Sequence, residues 1–160
     1  MSQYDIDMYA MQQALACARQ SVAEGEVPVG AVLVINNQII AKAYNQTITQ
    51  CDPTAHAEIL VLRQAAELTH NHRLLEATLY STLEPCLMCV GALIQARIKR
   101  LVFAAYDKKF GALGGVSNIL QTKAINHYFS VSDGVLADES AEILKAFFLQ
   151  RRCKSNRSEI

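Results

Sequence analysis

Net charge is the first thing this sequence lacks. Fifteen basic residues balance fifteen acidic ones in a chain of 160, so no bulk electrostatic pull draws it towards a polyanion, and any nucleic acid must be met by a local patch. Long apolar runs are also missing. Val29 to Ile35 stops at Asn36-Asn37, far short of the roughly 20 residues a membrane span needs. The opening Met1-Ser2-Gln3-Tyr4-Asp5 has neither a basic segment nor an apolar signal core, and the five cysteines are an odd number. These absences predict a reducing cytoplasm and no membrane partner. There is no internal repeat and no low-complexity segment. What is present is a hydrophobic content of 51%, enough for one compact domain with a real core. We place that domain at residues 1–152 and expect 153–160 to be a basic, frayed tail.

The chain is organised around Leu83-Glu84-Pro85-Cys86-Leu87-Met88-Cys89. Two cysteines three positions apart, opened by a proline and followed by Val90-Gly91-Ala92-Leu93-Ile94, read as thiols at the start of a buried helix. At a helix N-terminus the unpaired N–H groups and the positive end of the dipole favour the thiolate, which is the form that binds metal. The pair alone leaves three readings open: a redox couple, half of a structural zinc site, or two small core residues. Upstream stands Thr54-Ala55-His56-Ala57-Glu58-Ile59. His56, Cys86 and Cys89 make three ligands for one Zn²⁺ and leave the fourth tetrahedral position open for water, the mark of a catalytic centre. A structural site wants a fourth Cys or His at short spacing, and none is well placed. Glu58, two residues after the ligand, supplies a carboxylate that can ferry a proton from that water to the displaced group.

H-x-E followed by P-C-x-x-C is the pattern of the zinc-dependent nucleobase deaminases, which the chain resembles. More narrowly it resembles the bacterial tRNA-specific adenosine deaminases, through Val27 to Val32, Asn45, Asp52 to Glu58, Thr82 to Cys86, and Phe147-Phe148. The resemblance implies a cytidine deaminase-like three-layer α/β/α sandwich around a mixed five-stranded sheet. It also implies hydrolytic conversion of adenosine to inosine at the wobble position of a tRNA anticodon stem-loop, by a homodimer. In that family Asn45 matches the asparagine that hydrogen-bonds the purine, and Asp107 matches a residue near the target sugar. Phe148 and Arg151 are candidate anticodon-loop contacts. On spacing alone, Asn45 is a loop residue, Phe147 and Phe148 belong to a core, and the basic tail solubilises. A free nucleobase or nucleoside deaminase, or a catalytically silent zinc-containing RNA-binding subunit, uses the same metal motif. The stretch Lys108 to Gly115 departs from the family's small-residue loop.

Along the chain, Met8, Met11, Leu15, Ala18 and Val22 recur at helical spacing up to a stop at Gly25, with Cys17 in or beside the apolar face. Val29 to Ile35, Asn36-Asn37 and Gln38 to Tyr44 predict a hairpin whose first strand is covered on both faces. A loop from Asn45 to Pro53 leads to a helix that Thr54 can cap, and Ala77 to Leu83 and Arg100 to Tyr106 read as strands flanking the cysteine helix. Strands alternating with helices imply parallel pairings after the hairpin. Ser117 to Gln121 suggests a short helix and Tyr128 to Val131 a last strand. A final helix capped by Asp138 puts Leu144, Phe147, Phe148 and Arg151 on one face.

Overall fold

The computed structural model describes residues 1–157. Helix α1 (Gln3–Ala23) precedes the hairpin β1 (Gly30–Ile35) and β2 (Gln38–Tyr44), followed by α2 (Ala57–Thr69), β3 (Thr78–Leu83), α3 (Leu87–Ala96), β4 (Arg100–Ala105), β5 (Ser130–Asp133) and α4 (Ala137–Arg157). The strands lie in the order β2-β1-β3-β4-β5, with β1 antiparallel to both β2 and β3, and β3, β4 and β5 parallel. The hairpin turns at Asn36 and Asn37, both at positive φ, a conformation asparagine tolerates better than most residues. The short helix expected at 117–121 is one 3₁₀ turn, Ile119–Gln121.

Alternation along the strands builds the two outer layers. Leu33, Leu79 and Leu101 are in register and pack, with Ala41 and Phe103, under α2 and α3. Their neighbours Val32, Tyr80 and Val102 face the other way, against Ala10, Met11, Ala14 and Leu15 of α1 and Ile143 of α4. Burial on both faces explains why β1 and β4 read as nearly continuous apolar runs, while β3 buries Ser81 and Thr82 as hydrogen-bonded polar residues. Tyr80 and Asp7 are buried polar exceptions that satisfy each other. Asp7 accepts from Tyr80 Oη at 2.7 Å, from Arg100 through two bonds of 2.8 Å, and from Gln3 at 2.9 Å, which ties α1 to β3 and β4.

Four local expectations are corrected. Val22 is exposed rather than on the buried stripe, which closes at Ser21. Thr54 does not cap α2; its N–H and hydroxyl both donate to Asp52 Oδ1, a local turn that competes with capping. Asp138 lies inside the first turn of α4, where a carboxylate still complements the dipole. Residues 153–157, expected to fray, continue α4 with Lys154 and Arg157 in its last turn, where cations face the negative end of the dipole. The rest of the expected tail, 158–160, lies outside the described residues.

Candidate metal and catalytic site

The two helices α2 and α3 present their N-termini to one another. His56 is the N-cap of α2 and Cys86 the N-cap of α3, both with extended backbone, and neither side chain caps its own helix. A capping side chain at such a position contributes about 1 kcal/mol, so both helices forgo a usual stabiliser to keep these atoms free. They meet instead. His56 Nδ1 lies 3.6 Å from Cys86 Sγ and 3.5 Å from Cys89 Sγ, and the three ligand atoms fall within 4.8 Å of one another. Bonds of about 2.05 Å to nitrogen and 2.3 Å to sulfur in a tetrahedron place N and S about 3.6 Å apart, so the donor set and its spacing fit Zn²⁺.

Protonation in this cluster is unequal. The Cys89 thiol, donating to Cys86, holds the Cys86 pKa well below its ordinary value against the cost of burial, and His56 adds to the effect. Cys89 is correspondingly pushed up by that bond to Cys86, by burial and by Glu58. The hydrogen bond with Cys86 raises the His56 imidazole against desolvation. A cation bound by all three atoms displaces the proton shared between the thiols. Glu58, in the first turn of α2, is only 4% exposed, and desolvation raises its carboxyl above the usual range. Its Oε2 lies 3.6 Å from Cys89 Sγ and its Oε1 3.1 Å from Ser81 Oγ. The Ser81 hydroxyl also reaches Leu83 O at 2.8 Å, so its one proton serves either acceptor. A buried carboxyl with a raised pKa, aimed at an open metal site, is suited to carrying protons.

The surrounding loops are held by Asn45, which the resemblance singled out, and by Glu26 and Glu84, to which no role was given. Asn45 Oδ1 accepts from the Ala57 N–H at 3.1 Å, supplying to α2 a partner its own N-cap does not provide. Its Nδ2 has no acceptor among the described residues, so a donor is left over beside His56 and Glu58. Buried Glu26 accepts from the N–H groups of Ile48 and Thr49 at 2.8 and 2.7 Å and holds the loop ahead of His56. Buried Glu84 accepts from the N–H groups of Asp107, Leu113 and Gly115 at 3.0, 2.8 and 2.9 Å. In the sequence Glu84 reads only as a carboxylate between the end of β3 and Pro85.

Asp107 accepts from the N–H groups of Lys109 and Phe110 and so shapes the loop it begins. The loop returns to the metal helix: Gly111 bridges Cys86, and the Ala112 N–H donates to Pro85 O at 3.1 Å. Phe148 and Arg151 are not drawn into this cluster. Helix α4 touches the strand leading to the cysteines through Ser140 Oγ, which donates to Thr82 O at 2.5 Å. Farther along, Phe147 is buried, Phe148 is 43% exposed, and the Arg151 guanidinium stands 5.3 Å over the Phe147 ring. Cys17 is buried in α1, and Cys51 and Cys153 are exposed; none joins the metal group.

Residues 6–152 match the family model of the MafB19-like deaminases. The tRNA-specific adenosine deaminase of Haemophilus influenzae is 49% identical over 149 residues, covering 92% of this chain and 86% of the relative. The Bacillus subtilis protein of the same name is 45% identical over 148 residues, covering 92% of each. A solved structure from studies of A-to-I editing by tRNA:A34 deaminases at the wobble position of transfer RNA superposes with a TM-score of 0.84. It is 44% identical and covers 85% of this chain and 99% of that one.

Proposed function

Because the chain belongs to the family of the tRNA-specific adenosine deaminases, we propose that it hydrolyses the wobble adenosine of a tRNA anticodon to inosine, releasing ammonia. The observation that carries this reading is the meeting of His56 Nδ1, Cys86 Sγ and Cys89 Sγ beside the buried Glu58. In the holoenzyme these three atoms hold one Zn²⁺ per chain, whose chemistry is to acidify a water towards a pKa of about 7. The protein does the rest. Glu58 takes a proton from the attacking water as the water oxygen bonds to C6, and returns that proton to the purine ring nitrogen. It then takes the remaining proton from the oxygen on C6 and passes it to the amine, which leaves as ammonia while the C6 carbonyl forms. Ser81 orients the carboxylate through Oε1. Asn45 Nδ2, left free by the bond from Ala57, donates to an acceptor on the purine edge. The target atom is out of reach in a stacked base, so the adenosine must be splayed from the anticodon loop before it enters.

We assign catalysis to residues 1–152, with Asp107, Phe148 and Arg151 on the RNA side. The working form is a homodimer in the cytoplasm. Among the described residues no helix is long and apolar enough to cross a membrane. A groove of about 540 Å³ between α2 and α3, lined by Ile59, Leu62, Ala66, Met88 and Ala92, offers an apolar face to a second copy. Light scattering after size exclusion checks this, and a monomer at micromolar concentration rejects it.

The activity test runs zinc-loaded protein on an arginine-tRNA anticodon stem-loop bearing the wobble adenosine, on free adenosine, and on cytosine and guanine. Inosine formed only in the stem-loop is the expected result. Turnover of a free base with none of the RNA overturns the substrate while leaving the metal site in its role.

A further inference from the structure

We propose that Phe110 is a stacking platform for the unpaired base next to the adenosine that enters the site, with Lys108 and Lys109 meeting the adjoining phosphates. The inference rests on the tRNA reading above and names a contact that reading does not assign.

Phe110 is 71% exposed, and among the described residues its ring meets no other ring or cation. Local stability does not explain it: an aromatic side chain left in water contributes little burial. Its backbone, by contrast, is tightly specified. The Phe110 and Lys109 N–H groups donate to Asp107 Oδ1, and the Gly111 N–H donates to Asp107 O at 3.0 Å. Glu84 holds both ends of the loop through Asp107, Leu113 and Gly115. A ring on a preorganised loop loses little conformational entropy when a ligand covers it.

Position and charge select the ligand. The residue after Phe110 bridges Cys86, so the ring is anchored one residue from a metal ligand, at the rim of the site. Extracting a base into such a site removes the stacking partner of its neighbour and leaves an open π face. An exposed aromatic ring supplies a replacement that tolerates any base. Lys108 and Lys109 are exposed, and neither forms an ion pair among the described residues, so two cations stand ready for the phosphates beside that base.

The test measures equilibrium binding of zinc-loaded full-length protein to an anticodon stem-loop carrying inosine at the wobble position, which binds without turning over. Replacing Phe110→Ala should weaken binding roughly 5- to 150-fold, the range for one base stacked on an aromatic ring. Zinc content should not change. Phe110→Trp should restore affinity to within about twofold, and Phe110→Leu, apolar but without a π face, should not. Lys108→Ala with Lys109→Ala should lower the slope of log K against log salt by about 1.4. Unchanged affinity in Phe110→Ala, or full rescue by Leu, overturns the proposal. A Phe110→Ala change in oligomeric state with RNA affinity intact assigns the ring to a contact between copies and likewise overturns it. If wild-type protein neither binds nor deaminates the adenosine stem-loop, the tRNA reading falls and takes the subsite with it. If wild type does both and Phe110→Ala is unaffected, the subsite alone falls.

Discussion

Glu58 and Asp7 are both buried carboxylates, and their surroundings give them opposite tasks. Glu58 has Ser81 and a thiol for neighbours and no cation but the half-buried His56, so desolvation wins and its pKa rises. Replacing Glu58→Ala should cut turnover by about 10²–10⁴-fold or more while one zinc per chain remains bound, since the ligands are untouched. Metal analysis checks this, and a zinc-free variant sinks the division of roles. Asp7 is also penalised by burial, but Arg100, Tyr80 and Gln3 outweigh that penalty and its pKa falls. A depressed carboxyl stabilises the fold fully above its unfolded value near pH 4 and loses that contribution as pH drops through the folded value. Asp7→Asn should cost about 3 kcal/mol at pH 7, because Arg100 keeps its charge and loses its partner. Urea unfolding between about pH 2 and 5 should show a flatter acid limb for the variant than for wild type.

The helix N-termini are where elements become a site. Both α2 and α3 begin with a ligand in place of a cap, and Asn45, from the end of β2, makes up part of the deficit at Ala57. The loop from Asp107 to Gly115 works as an element in the same sense, although it has no regular structure. Its backbone N–H groups converge on Glu84, and the approach is so close that a Cβ on Gly111 or Gly115 would land on the Glu84 carboxylate and the Asp107 carbonyl. Gly111→Ala should therefore displace the loop from Cys86. Stem-loop deamination should drop at least tenfold, and a melting temperature within a few degrees of wild type would distinguish this from general unfolding. Wild-type activity in that variant would show that the loop's exact path does not matter.

At the scale of the whole molecule, the metal group joins α2 and α3, two helices on the same face of the sheet, across 30 and 33 residues of sequence. A metal held only by the folded arrangement stabilises that arrangement by mass action. At a thousand times its Kd it adds about 4 kcal/mol, or roughly 10 °C in a domain of this size. Chelation should lower the melting temperature of wild type by about that amount and leave Cys86→Ser, already short of a ligand, nearly unmoved. Equal melting temperatures with and without chelator in wild type would mean that the cluster holds no stabilising ion.

Sequence alone named the candidate centre, because residue identity and short spacing are local: His56 with Glu58, and Cys86 with Cys89, are set within single turns of chain. It also determined the hairpin, since Asn36 and Asn37 accept positive φ, and the layered order, since strands alternate with helices after that hairpin. Tertiary structure decided the rim. The backbone partners of Glu26 lie 22 and 23 residues away, and those of Glu84 lie 23, 29 and 31 residues away. Apart from the Thr47 and Thr49 hydroxyls on Glu26, these are backbone N–H groups, which every residue but proline carries, so no side-chain pattern marks them. The same holds for the cap on α2: Thr54 looked right by position, yet its nearest acceptor was Asp52, and only the packing of β2 against α2 brought Asn45 to Ala57.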